Sequence, residues 1–322
     1  MRSRFLVLAA LAALVVAPVN GSSAAGGVAG RADAPTVHIR PGALPKGDGP
    51  ATPMQVGRSV VDGDTRVRLP AHSYLLGKSG TAYVVAGSGR VLRVEADGTT
   101  TRIARPAESA ELTLSRDGAH VVVTRTKRGG RTDVTVLDAE TGARLAHRRF
   151  SEYATVAAAD EGRLVLSTWG PPRTFWWDFV SGGTSRIVGR VAGHADIRAD
   201  RLATFTGDPY DGGCTVVTSL RHPKRKLWRS CAEAVVAFSP HGRRMATTHI
   251  LADGLGPNEV HARTVHGREI ASYAAYWFGT VEWETDTALL LDAHTKHRTA
   301  LVRCAAAECE RASAVRRSSA GG

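Results

Sequence analysis

Side chains that can recognise a ligand are concentrated in two short loop segments. Trp169 and Arg173 flank a Gly-Pro-Pro turn, and a flat aromatic ring beside a cation suits a sugar or an aromatic ligand. Asp208, Tyr210 and Asp211 lie in the next such segment, where both carboxylates can face a Ca²⁺ ion. Because Ca²⁺ takes about six to eight oxygen ligands, this stretch alone supplies too few. The sequence therefore predicts an ordinary turn here and no metal site.

A third candidate segment starts at His249 and extends to residue 258. It is long and contains two glycines, so it is either a mobile recognition loop or a slack connection.

A purely structural alternative also holds for Trp169, since the two prolines stiffen its loop and the ring can cap the core. That structural alternative is the favoured interpretation of Trp169.

The densest basic stretch of the chain covers residues 222–229. It can bind a polyanion, with Trp228 stacking on a sugar or a base. The alternative is a solvated turn in which Trp228 packs into the core. Residues 125–131 form a second basic segment, and polyanion binding gains weight if both segments share one face. The candidate polyanion-binding residues are Lys224, Arg225, Lys226 and Arg229.

Strong catalytic motifs are absent from the sequence. It contains no Gly-x-Ser-x-Gly elbow, no His-Glu-x-x-His zinc helix, no phosphate-binding loop and no dinucleotide fingerprint. This absence favours a non-catalytic protein without a cofactor. The alternative is a hydrolase or lyase acting on a sugar or lactone, which would need a pocket where His249 lies beside Asp208 or Asp211.

Four cysteines allow three disulfide pairings. The pairs Cys214–Cys231 and Cys304–Cys309 are favoured, because each falls within one of the sequence repeats described next. A metal site would show closely spaced Cys-x-x-Cys pairs with further ligands nearby, and the chain has none.

A tight turn followed by an apolar run recurs along the chain. The best copies are Ser115–Gly118 before residues 119–123, and Ser239–Gly242 before residues 243–247. With weaker copies, the turns fall at residues 80, 118, 162, 200, 242 and 286. Their average spacing of about 41 residues matches a four-stranded propeller blade.

Each repeat predicts four strands joined by a turn, a loop and a second turn. Glycine supplies the positive φ that such turns need, and the nearly all-apolar second strand should be buried on both faces. Six units fit between Tyr74 and Ala312, and residues 56–69 form a hairpin before them. The predicted fold is therefore an all-β β-propeller of six four-stranded antiparallel blades plus a closing hairpin, with seven blades as the alternative.

The turn phrases resemble those of TolB-like and WD-repeat-like β-propellers. The residues that carry the resemblance are Ser115–Gly118, Ser239–Gly242 and Val134–Gly142, and the likeness covers about residues 73–313. The resemblance implies the architecture, and it implies that ligands bind near the central axis, on the face bearing the loops after the second strands. Only Trp177-Asp178 ends a third strand with the WD dipeptide, so a true WD-repeat protein is not expected.

The N-terminal residues are typical of a secretory signal peptide. Arg2 and Arg4 precede thirteen apolar residues, Phe5–Ala17, and small residues lead to Ala25. The apolar run is shorter than the about 20 residues that span a bilayer. The predicted organisation is a signal peptide at 1–25, a Gly/Ala/Pro-rich linker at 26–55, the propeller at 56–313 and a disordered tail at 314–322.

The net charge of +12 is compatible with anionic partners, but the scattered arginines favour a high-GC coding bias as its origin. Together with the absence of catalytic motifs, the signal peptide and the blade repeat predict a secreted or cell-envelope binding module. Its expected partner is a protein or an anionic envelope polymer, with polyanion binding as a further alternative. The chain is expected to be a monomer that neither binds nucleic acid nor spans a membrane.

Overall fold

A computed structural model describes residues 34–318, whose regular secondary structure is almost entirely β-strand. The signal peptide predicted at residues 1–25 lies outside the described residues. The strands form seven sheets, and the first of them has three strands. Strand β1 (Thr36–His38) precedes this first sheet, which contains β2 (Met54–Val56), β3 (Ser59–Asp62) and β4 (Thr65–Arg68).

The second, third and fourth sheets each have four antiparallel strands in chain order. The second contains β5 (Tyr74–Ser79), β6 (Ala82–Gly87), β7 (Arg90–Val94) and β8 (Thr100–Ala104). The third contains β9 (Glu111–Leu114), β10 (His120–Thr126), β11 (Thr132–Asp138) and β12 (Arg144–Phe150). The fourth contains β13 (Ala154–Asp160), β14 (Arg163–Trp169), β15 (Pro172–Asp178) and β16 (Thr184–Val188).

The remaining three sheets repeat this order, and the last two gain an extra strand. The fifth contains β17 (Val191–Asp196), β18 (Arg201–Phe205), β19 (Thr215–Thr218) and β20 (Lys226–Ser230). The sixth contains β21 (Glu233–Phe238), β22 (Arg244–His249), β23 (Glu259–Thr264) and β24 (Glu269–Ala274). The seventh contains β25 (Trp277–Trp283), β26 (Leu289–His294), β27 (Arg298–Ala305), β28 (Glu308–Arg311) and β29 (Arg316–Arg317).

The core consists of apolar layers between neighbouring sheets, and the second strands lie at its centre. Residues Ala82–Ala86 of β6 are each at most 2% exposed, and Leu289–Leu291 of β26 are fully buried. The sequence prediction that second strands are buried on both faces is thereby confirmed. Such strands have no polar face because a sheet covers each side.

The first sheet closes the ring. Met54 and Val56 pack against Leu290 and Leu301 of the seventh sheet, and Val60 and its neighbours pack against the second sheet. The β-propeller prediction is confirmed, with seven blades rather than the favoured six. The predicted hairpin is in fact a three-stranded blade, because residues 54–56 add a strand before it.

The first sheet has no strand equivalent to the innermost strand of the other sheets. The side chain of Gln55 on β2 accepts a hydrogen bond of 2.8 Å from the Leu75 backbone N–H, near the start of β5. Asp62 on β3 accepts one of 2.7 Å from Lys78, near the end of β5. Strand β2 therefore runs opposite to β5, as second strands do. Ser167 on the second strand β14 accepts an equivalent bond of 2.8 Å from the Ala192 N–H of the following sheet.

Residues 36–47, which composition assigns to the linker, lie along the outer strands of the sixth and seventh sheets. Strand β1 pairs in parallel with β24, and Lys46 forms a parallel bridge to Arg311 beside β28. The compact unit begins at Ala34. In the predicted tail, β29 pairs with β27. A Pro-rich segment can pair in this way through a few residues at a sheet edge.

None of the helices in residues 34–318 has the length and apolar character needed to span a bilayer. The two helical segments there are single 3-10 turns, Pro41–Ala43 and Pro209–Asp211.

Candidate functional site

Strand direction divides the connections of the ring between two faces. In each four-stranded sheet, the turns after the first and third strands lie at one end, which we call the turn face. The loop after the second strand and the link to the next sheet lie at the other end, which we call the loop face. Turns on the turn face of neighbouring sheets touch each other, since the Arg116 N–H donates to the Ala159 carbonyl at 2.8 Å.

The recurrent turn phrase stabilises the turn face. The Ser115 hydroxyl donates to the Asp117 carboxylate and accepts from the His120 N–H at 2.9 Å, while Gly118 N–H donates to the Ser115 carbonyl at 2.8 Å. Burial raises the pKa of Asp117, but hydrogen bonds from Ser115, from two backbone N–H groups and the charge of His120 outweigh it and lower that pKa. Asp117 is therefore an ionised structural acceptor and not a proton donor.

The same phrase also joins one sheet to the next. Asp117 accepts from the Glu161 backbone N–H at 3.2 Å, and Asp160 forms an ion pair of 2.8 Å with Arg198. In the sixth sheet, His241 pairs with Asp286 of the seventh sheet. The repeat detected in the sequence is thus a set of links between blades, so its polar residues are occupied by the fold.

The loop face carries most of the exposed large apolar side chains. Nine such side chains occur among the described residues, and seven of them lie on this face. The two others, Leu145 and Val180, lie near the turn face. The seven on the loop face are Tyr74, Tyr153, Trp169, Tyr210, Leu251, Leu255 and Tyr276.

Two of the predicted ligand residues belong to this apolar set. Trp169 is 43% exposed and Tyr210 is 71% exposed. Trp169 is the last residue of β14, so the exposed part of its side chain lies at the loop face. Both side chains are available for recognition on the loop face.

Asp208 has a structural role in the neighbouring loop. Its carboxylate accepts from the Tyr210 N–H at 3.0 Å and caps the 3-10 turn Pro209–Asp211. This arrangement is the ordinary turn that the sequence predicts. Among residues 34–318, no group of three or more His, Cys, Asp or Glu side chains is placed to hold a metal ion.

His249 does not join these carboxylates. Its Nδ1 accepts from the Leu251 N–H at 3.2 Å, and no ion pair within 4.0 Å links it to Asp208 or Asp211 in the described part of the chain. The acid–base pair that a hydrolase would need at this place is therefore not assembled from these three residues.

The two basic segments lie on opposite faces. Residues 222–225 connect β19 to β20 on the turn face, where residues 221–225 surround a shallow recess of about 460 Å³. Residues 127–131 connect β10 to β11 on the loop face. Trp228 packs against the core beneath Gly267. The candidates Lys224, Arg225 and Lys226 therefore lie on the face opposite to the second basic segment. Arg229 lies near the loop-face end of β20, with its Nη2 3.3 Å from Cys214 Sγ.

Both predicted disulfides are present. Cys214 is bonded to Cys231 and Cys304 to Cys309, with S–S distances of 2.06 and 2.05 Å. Cys214 directly precedes β19 and Cys231 directly follows β20, so the first bridge lies at the loop face. It fixes the loop that carries Tyr210 to the start of the connection toward the sixth sheet.

Two ionisable residues on inner strands, His194 and Glu282, were not found from the sequence. His194 lies on the inner strand β17, with its ring 5.5 Å from that of Phe238 on β21. Burial lowers the pKa of His194 to about 4, opposed by Asp196 and assisted by Arg116. Burial raises the pKa of Glu282 on β25, opposed by Arg116, although its side chain reaches solvent.

Arg173, predicted to face a ligand beside Trp169, instead points to the rim of the ring. Its guanidinium lies 4.8 Å from the centre of the Phe175 ring and pairs with Glu152. There it lines a groove between the third and fourth sheets, together with Arg148 and Arg186 from the outer strands. No sequence signal marks this groove, because its residues come from two different repeats.

No family model matches this sequence, and no curated protein matches it. Solved structures do resemble the fold. Kluyveromyces lactis Hsv2 is similar with a TM-score of 0.53 and 11% identity, over 81% of this chain and 92% of that one. The WD40 repeats of RRP9 are similar with a TM-score of 0.50 and 12% identity, over 75% and 82% of the two chains.

TolB from Acinetobacter baumannii is also among the similar structures, with a TM-score of 0.48 and 12% identity. It is matched over 73% of this chain and 61% of that one. Together with the sheet order, the likenesses to Hsv2 and to RRP9 confirm the β-propeller fold. At these identities they describe the fold alone.

Proposed function

We propose that this protein is a secreted or envelope-associated binding module that docks a partner protein on its loop face. The observation that carries the proposal is the concentration of exposed apolar side chains there, seven of the nine in the described residues. Large exposed apolar side chains gathered on one face mark interaction surfaces, whereas singly scattered ones need no explanation.

The chemistry of this set suits a protein partner. Five of the seven side chains are Tyr or Trp, the residue types that dominate the binding energy of protein interfaces. Their rings bury a large area at a small cost in conformational entropy, and each keeps a polar group for hydrogen bonding. The set is distributed over the second, fourth, fifth, sixth and seventh sheets, which suits a broad docking surface better than a small-molecule pocket.

Two of these side chains are held by rigid supports. Tyr210 lies in a 3-10 turn capped by Asp208, and the Cys214–Cys231 bridge anchors the end of the same loop. Trp169 ends a strand and is paired with Pro172. Side chains ordered before binding lose less entropy on docking, which favours affinity.

The two disulfides support a location outside the cytoplasm, where such bonds persist. The predicted signal peptide supports the same location. A TolB-like or WD-repeat-like ring is also a common architecture for assembling proteins, which supports a scaffold function by analogy of fold.

The test compares two double variants of the secreted chain as bait for envelope and culture-medium proteins. Trp169→Ala with Tyr210→Ala removes two apolar side chains from the loop face. Leu145→Ala with Val180→Ala removes two exposed apolar side chains near the turn face and is the matched control. Thermal melting confirms that both variants are folded.

We expect one protein to be retained at high salt by the wild type and by the control, and to be lost with the Trp169/Tyr210 variant. Loss of one or two central aromatic side chains typically weakens an interface by about 2 kcal/mol or more. Equal retention by both variants contradicts the proposal. Retention of only an anionic polymer, lost at high salt, shows polyanion binding instead.

A further inference from the structure

We propose that the groove on the rim, between the third and fourth sheets, binds the phosphate group of a phosphorylated sugar. The groove has a volume of about 270 Å³. Arg148 and Phe150 on β12 line one side of it. Arg173 and Phe175 on β15 and Arg186 on β16 line the other. It is separate from the loop face, so it gives the protein a second binding site.

The phenylalanine rings hold two of the guanidinium groups in place. The Arg148 guanidinium lies 5.5 Å from the centre of the Phe150 ring, and that of Arg173 lies 4.8 Å from the centre of the Phe175 ring. The two rings contact each other with centroids 5.7 Å apart and are only 6% and 4% exposed. A guanidinium stacked on a buried ring has little freedom left to lose when an anion binds.

Backbone contacts orient the arginines further without neutralising them. Arg148 Nη1 donates to the Gly182 carbonyl at 2.7 Å, which links the third sheet to the fourth. Arg173 Nε is buried and has no hydrogen-bond partner among the described residues, while the side chain as a whole is 40% exposed. The exposed end of this guanidinium can therefore donate to an acceptor in the groove.

The charges in the groove favour a dianion. Arg173 pairs with Glu152, whereas Arg148 and Arg186 form no ion pair within 4.0 Å in residues 34–318. Three arginines and one glutamate leave two positive charges. A phosphate monoester carries about −1.5 to −2 at neutral pH, which matches this excess better than the single charge of a carboxylate. Guanidinium groups also bind phosphate oxygens through paired hydrogen bonds.

The remaining groups in the groove favour a sugar attached to the phosphate. Thr184 is exposed and lies on the same face of β16 as Arg186, so its hydroxyl can hydrogen-bond to a ring hydroxyl in the groove. A volume of about 270 Å³ lies just below the range of drug-sized pockets. It therefore suits a phosphate with one ring and excludes a deeply enclosed larger ligand.

Isothermal titration of the folded, disulfide-bonded chain tests the proposal with glucose 6-phosphate as the probe. Inorganic phosphate, glucose and galacturonate are titrated separately, at low salt. The first variant is Arg186→Gln, since this exposed side chain has no ion pair to lose, and the second adds Arg148→Gln. Arg90→Gln with Arg102→Gln is the control, because it removes two exposed arginines elsewhere on the ring.

We expect glucose 6-phosphate to bind, with Kd raised about tenfold or more in Arg186→Gln and further in the double variant. The control should bind like the wild type, and glucose alone should not bind. If inorganic phosphate binds as tightly as glucose 6-phosphate, the phosphate site is supported but the sugar does not contribute to affinity. The proposal is overturned by three results: no binding of either phosphate, equal affinity in Arg186→Gln and the wild type, or tighter binding of galacturonate.

Discussion

Acid should destabilise this protein in part through His194, whose ring is partly buried on the inner strand β17. Burial lowers the pKa of His194 to about 4, from an ordinary value of 6.5. In the unfolded chain the same group takes up a proton near pH 6.5. Between these two values the unfolded state binds more protons than the folded state, so the free energy of unfolding rises with pH in that range.

The contribution of His194 to stability is therefore fully present above pH 6.5 and is lost as the pH falls toward 4. A difference between 6.5 and about 4 corresponds to about 3 kcal/mol, at about 1.4 kcal/mol for each pKa unit. Because the imidazole keeps some contact with solvent, about 3 kcal/mol is the upper end of the expected loss.

Urea unfolding followed by Trp fluorescence, at several pH values between 4 and 7, measures this loss. We expect His194→Asn to be less stable than the wild type at pH 7 but to lose less stability on acidification. His266→Gln, which removes a histidine from an exposed turn, should keep the wild-type pH dependence. The reasoning is refuted if the wild type and His194→Asn have parallel stability curves from pH 7 to pH 4. An NMR titration of the His194 ring gives an independent measurement of its pKa.

Three further results are expected. Gly118→Ala should lower the free energy of unfolding by about 3 kcal/mol, because a Cβ at this positive-φ position would collide with the Lys78 carbonyl oxygen. Gly98→Ala is the control, since Gly98 also has positive φ but has open space around it. In the same urea titration it should lower the free energy of unfolding by only about 1 kcal/mol. Removing the Cys214–Cys231 bridge, which spans 17 residues, should cost about 3 kcal/mol, and equal melting temperatures with and without reductant would contradict this. Glu282→Gln should stabilise the protein at pH 7 and have no effect on stability well below pH 4.5. The reason is that burial raises the pKa of Glu282, so the ionised carboxylate disfavours folding. A variant that is less stable than the wild type at pH 7 would show that the carboxylate has a favourable partner.

The repeating part of the fold is predictable from the sequence because local chemistry determines it. The phrase Ser115–Gly118 makes its hydrogen bonds within a few residues, so its pattern is visible in any one repeat. The disulfides also follow from locality, since Cys304 and Cys309 lie opposite each other across a short hairpin. The number of blades does not follow, because the strands of the first sheet, β2 to β4, lack the repeat.

The candidate sites also differ in whether local sequence or packing between blades determines them. Trp169 and Tyr210 are identified by residue type in loops that the repeat places on one face. Arg173 is also identified as a candidate by residue type. Its closeness to Trp169 in the sequence predicts a position on the loop face, but its side chain lies on the rim. Its partners Arg148 and Arg186 occur on outer strands of different blades. The three arginines come together only through the packing of those blades, so no spacing within one repeat predicts that they are close.

The proline-rich segment before β2 explains why the first sheet has three strands. An innermost strand of this sheet would have to be supplied by the residues just before Met54. Pro50 and Pro53 lack the backbone N–H that strand pairing needs, so a strand here would lose ladder hydrogen bonds. The segment instead crosses the turn face, where the Gly49 carbonyl accepts from Arg303 and the Pro50 carbonyl accepts from the Gly63 N–H, both at 2.8 Å. The same prolines that indicate a linker in the sequence thus account for the missing inner strand.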